Sequence, residues 1–194
     1  PNSNYAEPSQ RKAQAQFLTS EGKSNFNLNA KSIELYYPSA RSSDILGLKG
    51  NDEAISAICK EIDQIRNDKK YEFLGVYIIS YSSPESMIAD NSRLAEKRAA
   101  DFKTYLQQQS NYPESYFKIS SSEDWAGLIA LINSDKSMPN RRQALDIINN
   151  VNDLREREQR LMSLAGGSTY NYMKEYFFPK LHKIECNIIY KKLN

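Results

Sequence analysis

One histidine, one tryptophan, two cysteines and seven glycines in 194 residues already narrow the chemistry open to this chain. A lone imidazole, His182, has no second to share a metal ion with. The serines stand in no Gly-x-Ser-x-Gly elbow, and His182 would be their only base, so zinc chemistry and serine hydrolysis are not expected. The scattered glycines form neither a phosphate-cradling loop nor a dinucleotide fingerprint. No C-x-x-C occurs; Cys59 falls on the apolar stripe of a predicted helix and Cys186 inside a predicted strand. They read as two buried free thiols, with an oxidised pair the alternative in an exported protein. No apolar run reaches the roughly eighteen residues of a membrane helix, so the chain is not expected to span a membrane. The start, Pro1-Asn2-Ser3-Asn4, has neither the basic nor the apolar region of a signal peptide, which is expected to have been removed on export. Charge of either sign is not in excess: 26 basic and 24 acidic residues are interspersed, leaving no cationic field for nucleic acid. The chemistry that remains is binding without catalysis and without a cofactor.

What is present is enough for one folded domain. Hydrophobic residues make up 40% and charged residues 26%, the usual balance of a chain that buries a core. Residues 1–25 are polar, without periodicity, and read as an arm or linker; 26–194 read as the folded domain. Phe26 to Leu28 and Ser32 to Tyr37 alternate apolar and polar as a half-buried strand does. After a Ser/Gly/Asp loop, Ile55, Ile58, Cys59, Ile62 and Ile65 recur at helical spacing, predicting a helix over Asp52–Arg66 capped by Asn51. Phe73–Ser80 reads as a central strand, Ser92–Gln108 as a second helix and Tyr116–Ile119 as a short strand. Helices follow from the Ser122-Glu123-Asp124 cap and near Arg141–Asn149, Asp153–Leu164 and Thr169–Phe178, the last stopped by Pro179. Ile184–Tyr190 closes the chain as a strand. The order is βαβαβ, a helical insertion at about 120–180, then β, which predicts an α+β two-layer sandwich: a mixed sheet with helices on one face.

Arg98 stands out within this pattern. Leu94, Ala95, Ala99, Phe102, Tyr105 and Leu106 form one apolar helix face, and Arg98 lies inside it. Burying an unmatched guanidinium is costly, so Arg98 requires either an internal pair with Glu123, Asp124 or Glu85, or a ligand carboxylate. Glu123 and Asp124 themselves, at a helix start beside Trp125, read as caps in preference to a glycosidase pair. Thirteen tyrosines, among them Tyr170, Tyr172 and Tyr176, supply either core and rim residues or an adhesive face.

The helix that carries Arg98 opens Asn91-x-x-Leu94-Ala95-x-x-Arg98-Ala99 and follows a strand ending Ser80-Tyr81-Ser82-Ser83-Pro84-Glu85-Ser86. This resembles the OmpA-like peptidoglycan-binding family, and the loop is similar to a Gly-Tyr-Ala-Ser-Pro-Glu-Gly variant in envelope proteins of some Gram-negative anaerobes. The Glu123-Asp124-Trp125 segment, Arg155-Glu156 and Tyr172 to Leu181 are similar to that subgroup, so the resemblance runs from about Ile33 onward. It implies non-covalent binding of the diaminopimelate end of a peptidoglycan stem peptide, with a loop Asp holding the ammonium and the helix Arg the carboxylate. Here Ser83 takes the place of that Asp, and Ser80 and Ser86 replace the flanking glycines. The implied site is Arg98, Ser82, Ser83, Glu85 and Asn91, altered from the family pattern, with Glu85 able to supply the carboxylate from a shifted loop. The resemblance further implies a location in the periplasm or on the periplasmic face of the outer membrane. As an alternative partner it implies an envelope protein of a fimbrial or cell-adhesion assembly, docked on the helical insertion.

Overall fold

Alternation along the strands and three- and four-residue spacing along the helices sort the apolar side chains onto the two faces of one sheet. The structure, a computed structural model, describes residues 28–37, 51–85 and 88–193, with the side chains of 88–91 left out of the description. The strands are β1 (Leu28–Tyr36), β2 (Tyr71–Ser82), β3 (Phe117–Glu123) and β4 (Lys183–Lys192). The two helices between them are α1 (Asn51–Asn67) and α2 (Ile88–Ser110). Their order in the sheet is β1-β4-β2-β3, with β2 and β3 parallel and the other pairs antiparallel. The last strand of the chain is therefore internal, between β1 and β2. This explains why both faces of β4 are buried: Ile184, Cys186 and Ile188 on one, Glu185, Asn187 and Ile189 on the other. The expected βαβαβ, helices, β order is the observed one.

On one face, Val76, Ile78, Ile184 and Ile188 pack with Ile58 and Ile62 of α1 and with Ala99, Phe102 and Leu106 of α2. Each such side chain removed from water contributes about 1.5–3 kcal/mol. The opposite face carries Tyr77, Ile79, Tyr81 and Ile189. Asn187, buried among them, is satisfied laterally: its side-chain oxygen accepts from the Ser32 hydroxyl and its Nδ2 donates to the Tyr77 carbonyl at 3.4 Å. The β2–β4 ladder slips between Phe73 and Gly75, where Gly75 takes φ 151°, a conformation open to glycine at no steric cost. Asn51 is the first residue of α1. Its side chain accepts from the Tyr36 amide at 3.1 Å and donates to the Tyr36 carbonyl at 2.9 Å, tying α1 to the end of β1.

Between β3 and β4 the chain forms α3 (Trp125–Ser134), α4 (Arg141–Asn150), α5 (Leu154–Ser163) and α6 (Ser168–Tyr176). Asp124 caps α3 by accepting from Gly127 N at 2.8 Å, and Asp153 caps α5 by accepting from Glu156 N at 2.8 Å. These helices bury their own cluster, including Leu128, Ile132, Ala144, Leu161, Met173 and Phe177. Tyr170 belongs to that core, whereas Tyr176 is exposed. Several boundaries differ from the sequence reading, among them the following. Tyr116 lies in a 3₁₀ turn (Glu114–Tyr116) before β3, which runs on to Glu123 because β2 offers it a parallel partner as far as Ser82. Helix α6 ends at Tyr176, and Pro179 sits inside the 3₁₀ turn Phe178–Lys180 that follows. Both cysteines are free, but Cys59 is half-buried, at the rim of the α1 stripe.

Candidate functional site

Arg98 projects from the middle of α2 among Ala95, Ala99 and Phe102, and it is 1% exposed. Its guanidinium carbon lies 3.8 Å from the centroid of the Tyr37 ring, a cation–π contact in a water-poor setting. Burial lowers its pKa, and Tyr37 opposes that shift. Tyr37 is fixed because its amide donates to the His182 carbonyl at 3.0 Å, one step beyond the β1–β4 ladder. His182 is 2% exposed, and its Nε2 lies 3.4 Å from the Ser83 hydroxyl. Burial and the charge of Arg98 pull the imidazole down to about 4, so it is neutral at physiological pH. Its Nδ1 is buried with no hydrogen-bond partner among the described residues.

The loop after β2 completes the cluster. Fully buried Ser83 also donates to Glu85 Oε2 at 3.4 Å, and Glu85 pairs with Lys174 of α6 at 3.6 Å. At the C-terminal end of β2 the imidazole thus has the Ser83 hydroxyl 3.4 Å away and feels the charge of Arg98 from α2. Ser82 is buried at the last position of β2, and its carbonyl accepts from the Asp124 amide at 2.9 Å, which holds the start of α3 to the sheet. The side chain of Asn91 lies outside the described residues.

Two of the carboxylates considered for Arg98 are engaged elsewhere. Glu123 accepts the Trp125 indole N–H at 2.8 Å, and Asp124 caps α3 and lies 3.3 Å from Lys183. The third, Glu85, belongs to the Ser83 loop. Sequence reasoning missed three members of the cluster: His182, Tyr37 and Lys174. In the sequence His182 is no more than a lone imidazole without a metal partner, because nothing local reveals that the residue before β4 will face the residue after β2. Only the antiparallel register, with Tyr81 opposite Lys183, brings them together.

No family model matches the chain, and no curated protein matches it. Among solved structures it is similar to the OmpA-like domain of FopA1 from Francisella tularensis subsp. tularensis SCHU S4, with 12% sequence identity and a TM-score of 0.45 over 89% of this chain and 81% of that one.

Proposed function

We propose that this chain is a non-catalytic cell-envelope binding domain of the OmpA-like type, acting in the periplasm or on the periplasmic face of the outer membrane, with an altered muropeptide site. The observation that carries the reading is that His182 has the Ser83 hydroxyl beside it and feels the charge of Arg98, at the strand end and helix whose sequence resembles the family signature. Arg98 keeps the position for a ligand carboxylate. The ammonium position holds a hydroxyl, Ser83, where the family has a carboxylate, and Glu85 beside it is already paired with Lys174. A neutral hydrogen bond is about half as strong as a charge-assisted one, so the ligand's ammonium is held weakly. The burial of Arg98 adds a second cost, because a carboxylate must be desolvated to reach it.

Titration of muropeptides with and without diaminopimelate tests this. The wild type is expected to bind the diaminopimelate form only at about millimolar concentration, corresponding to about 4 kcal/mol. Arg98→Ala abolishes that binding, and Ser83→Asp, which returns the missing carboxylate, tightens it. If Ser83→Asp folds and still ignores every muropeptide, the peptidoglycan reading fails.

One observation favours a second reading, a protein-interaction accessory of a fimbrial or cell-adhesion assembly. The helical unit has its own core and still exposes Leu154, Met162 and Tyr176. Muropeptide titration separates the two, since a protein-docking role requires no response to cell-wall fragments.

A further inference from the structure

Across the sheet from α1 and α2, where β4 meets the start of α3, lies a cleft of about 500 Å³. Its lining includes four carboxylates, Glu34, Glu123, Asp124 and Glu185, against one cation, Lys183, with Tyr81 and Trp125 as aromatic walls. Two of the carboxylates are bridged by the lysine: its Nζ lies 2.8 Å from Glu34 Oε1 and 3.3 Å from Asp124 Oδ2, and 5.4 Å from the centroid of the Tyr81 ring. Glu123 is engaged by the Trp125 indole. Glu185 interacts with Asn187 and Tyr81, yet it is 1% exposed, lines the cleft, and its Oε1 is buried with no hydrogen-bond partner among the described residues. A buried carboxylate oxygen left in this state is costly, and a donor arriving from the cleft removes the cost.

We infer that this cleft is a binding site for a primary alkylammonium group, with Glu185 as the receiving carboxylate. Lys183 shows what the cleft accepts: an ammonium between carboxylates and beside an aromatic face. The site does not rest on the Arg98 cluster, which lies on the other face of the sheet. Burial, aided by the neighbouring charge of Glu34, raises the Glu185 carboxyl above its ordinary range. An entering ammonium opposes that shift by favouring the charged carboxylate.

Trp125 is the only tryptophan in the chain and lines the cleft, so tryptophan fluorescence follows this one residue. The full chain is titrated with n-butylammonium and with N-acetyl-lysine amide, using N-acetyl-norleucine amide and acetate as neutral and anionic controls. Both amines are expected to give a saturable change that the controls do not, and tighter binding of the lysine amide than of butylammonium points to peptide lysine as the source. Glu185→Gln keeps the shape and weakens binding by about tenfold or more, as loss of a charge-assisted partner requires. Lys183→Met removes the internal competitor and moves the affinity in the opposite direction. The inference is overturned if neither amine produces a saturable change, if acetate does so instead, or if Lys183→Met binds the amines no more tightly than the wild type.

Discussion

His182 offers the sharpest test of how the Arg98 cluster is built. The imidazole sits near 4 in the folded chain and near its ordinary 6.5 when unfolded, so the folded form holds fewer protons in between. Its neutral burial therefore contributes fully above about pH 6.5, and the contribution is lost as the pH falls toward 4. At about 1.4 kcal/mol per pH unit, that gap is worth about 3 kcal/mol. Urea unfolding of the wild type and of His182→Asn between pH 4 and 7.5 isolates the effect, because the carboxylates titrate in both proteins and cancel in the difference. The wild type is expected to lose about 3 kcal/mol more than the variant across that range. As the chain has one histidine, its ring resonances can be followed directly. In Arg98→Met the ring rises only part of the way toward 6.5, since burial is the larger cause and Arg98 the smaller. A folded-state imidazole titrating between 6 and 7, or parallel pH–stability curves for wild type and variant, refutes the buried cluster.

Three further outcomes follow from local geometry. Gly127→Ala, a change that ordinarily gains about 1 kcal/mol inside a helix, is expected to lose stability here, because the added Cβ falls on the Asp124 carboxylate that caps α3; thermal unfolding gives the sign. Asn51→Ala removes both hydrogen bonds to the Tyr36 backbone and is expected to cost about 1–3 kcal/mol in denaturant unfolding. In thiol titration of the native protein, Cys186 is expected to stay silent, since full burial pushes its thiol up, whereas half-buried Cys59 reacts slowly; denaturation releases both.

The elements were legible wherever the pattern was local. Ile55, Ile58, Ile62 and Ile65 mark α1 by spacing alone, and the Ile184–Tyr190 segment is marked as a strand by its apolar residues. Arg98 could be singled out by the same logic, because its helical neighbours are apolar. Its surroundings could not. Tyr37 and His182 reach it only because β4 returns between β1 and β2, a pairing of residues about 150 positions apart in the chain. Lys174 meets Glu85 through packing of the helical unit, again a contact without a local signature. The acidic cleft was obscured for a related reason. Glu34, Asp124 and Glu185 come from three separate elements, and Glu123 and Asp124 read correctly as helix-start residues without revealing that a buried carboxylate from β4 lies in the same cleft.

The most direct measurement follows the His182 ring signals while the diaminopimelate-containing muropeptide is added to Ser83→Asp and to the double variant Ser83→Asp, Arg98→Ala. A saturable shift in the first and none in the second is the expected result, since the imidazole lies 3.4 Å from the Ser83 hydroxyl of the wild type and feels the charge of Arg98. Ring signals that stay fixed in Ser83→Asp, with the protein folded, contradict a ligand site at this end of the sheet.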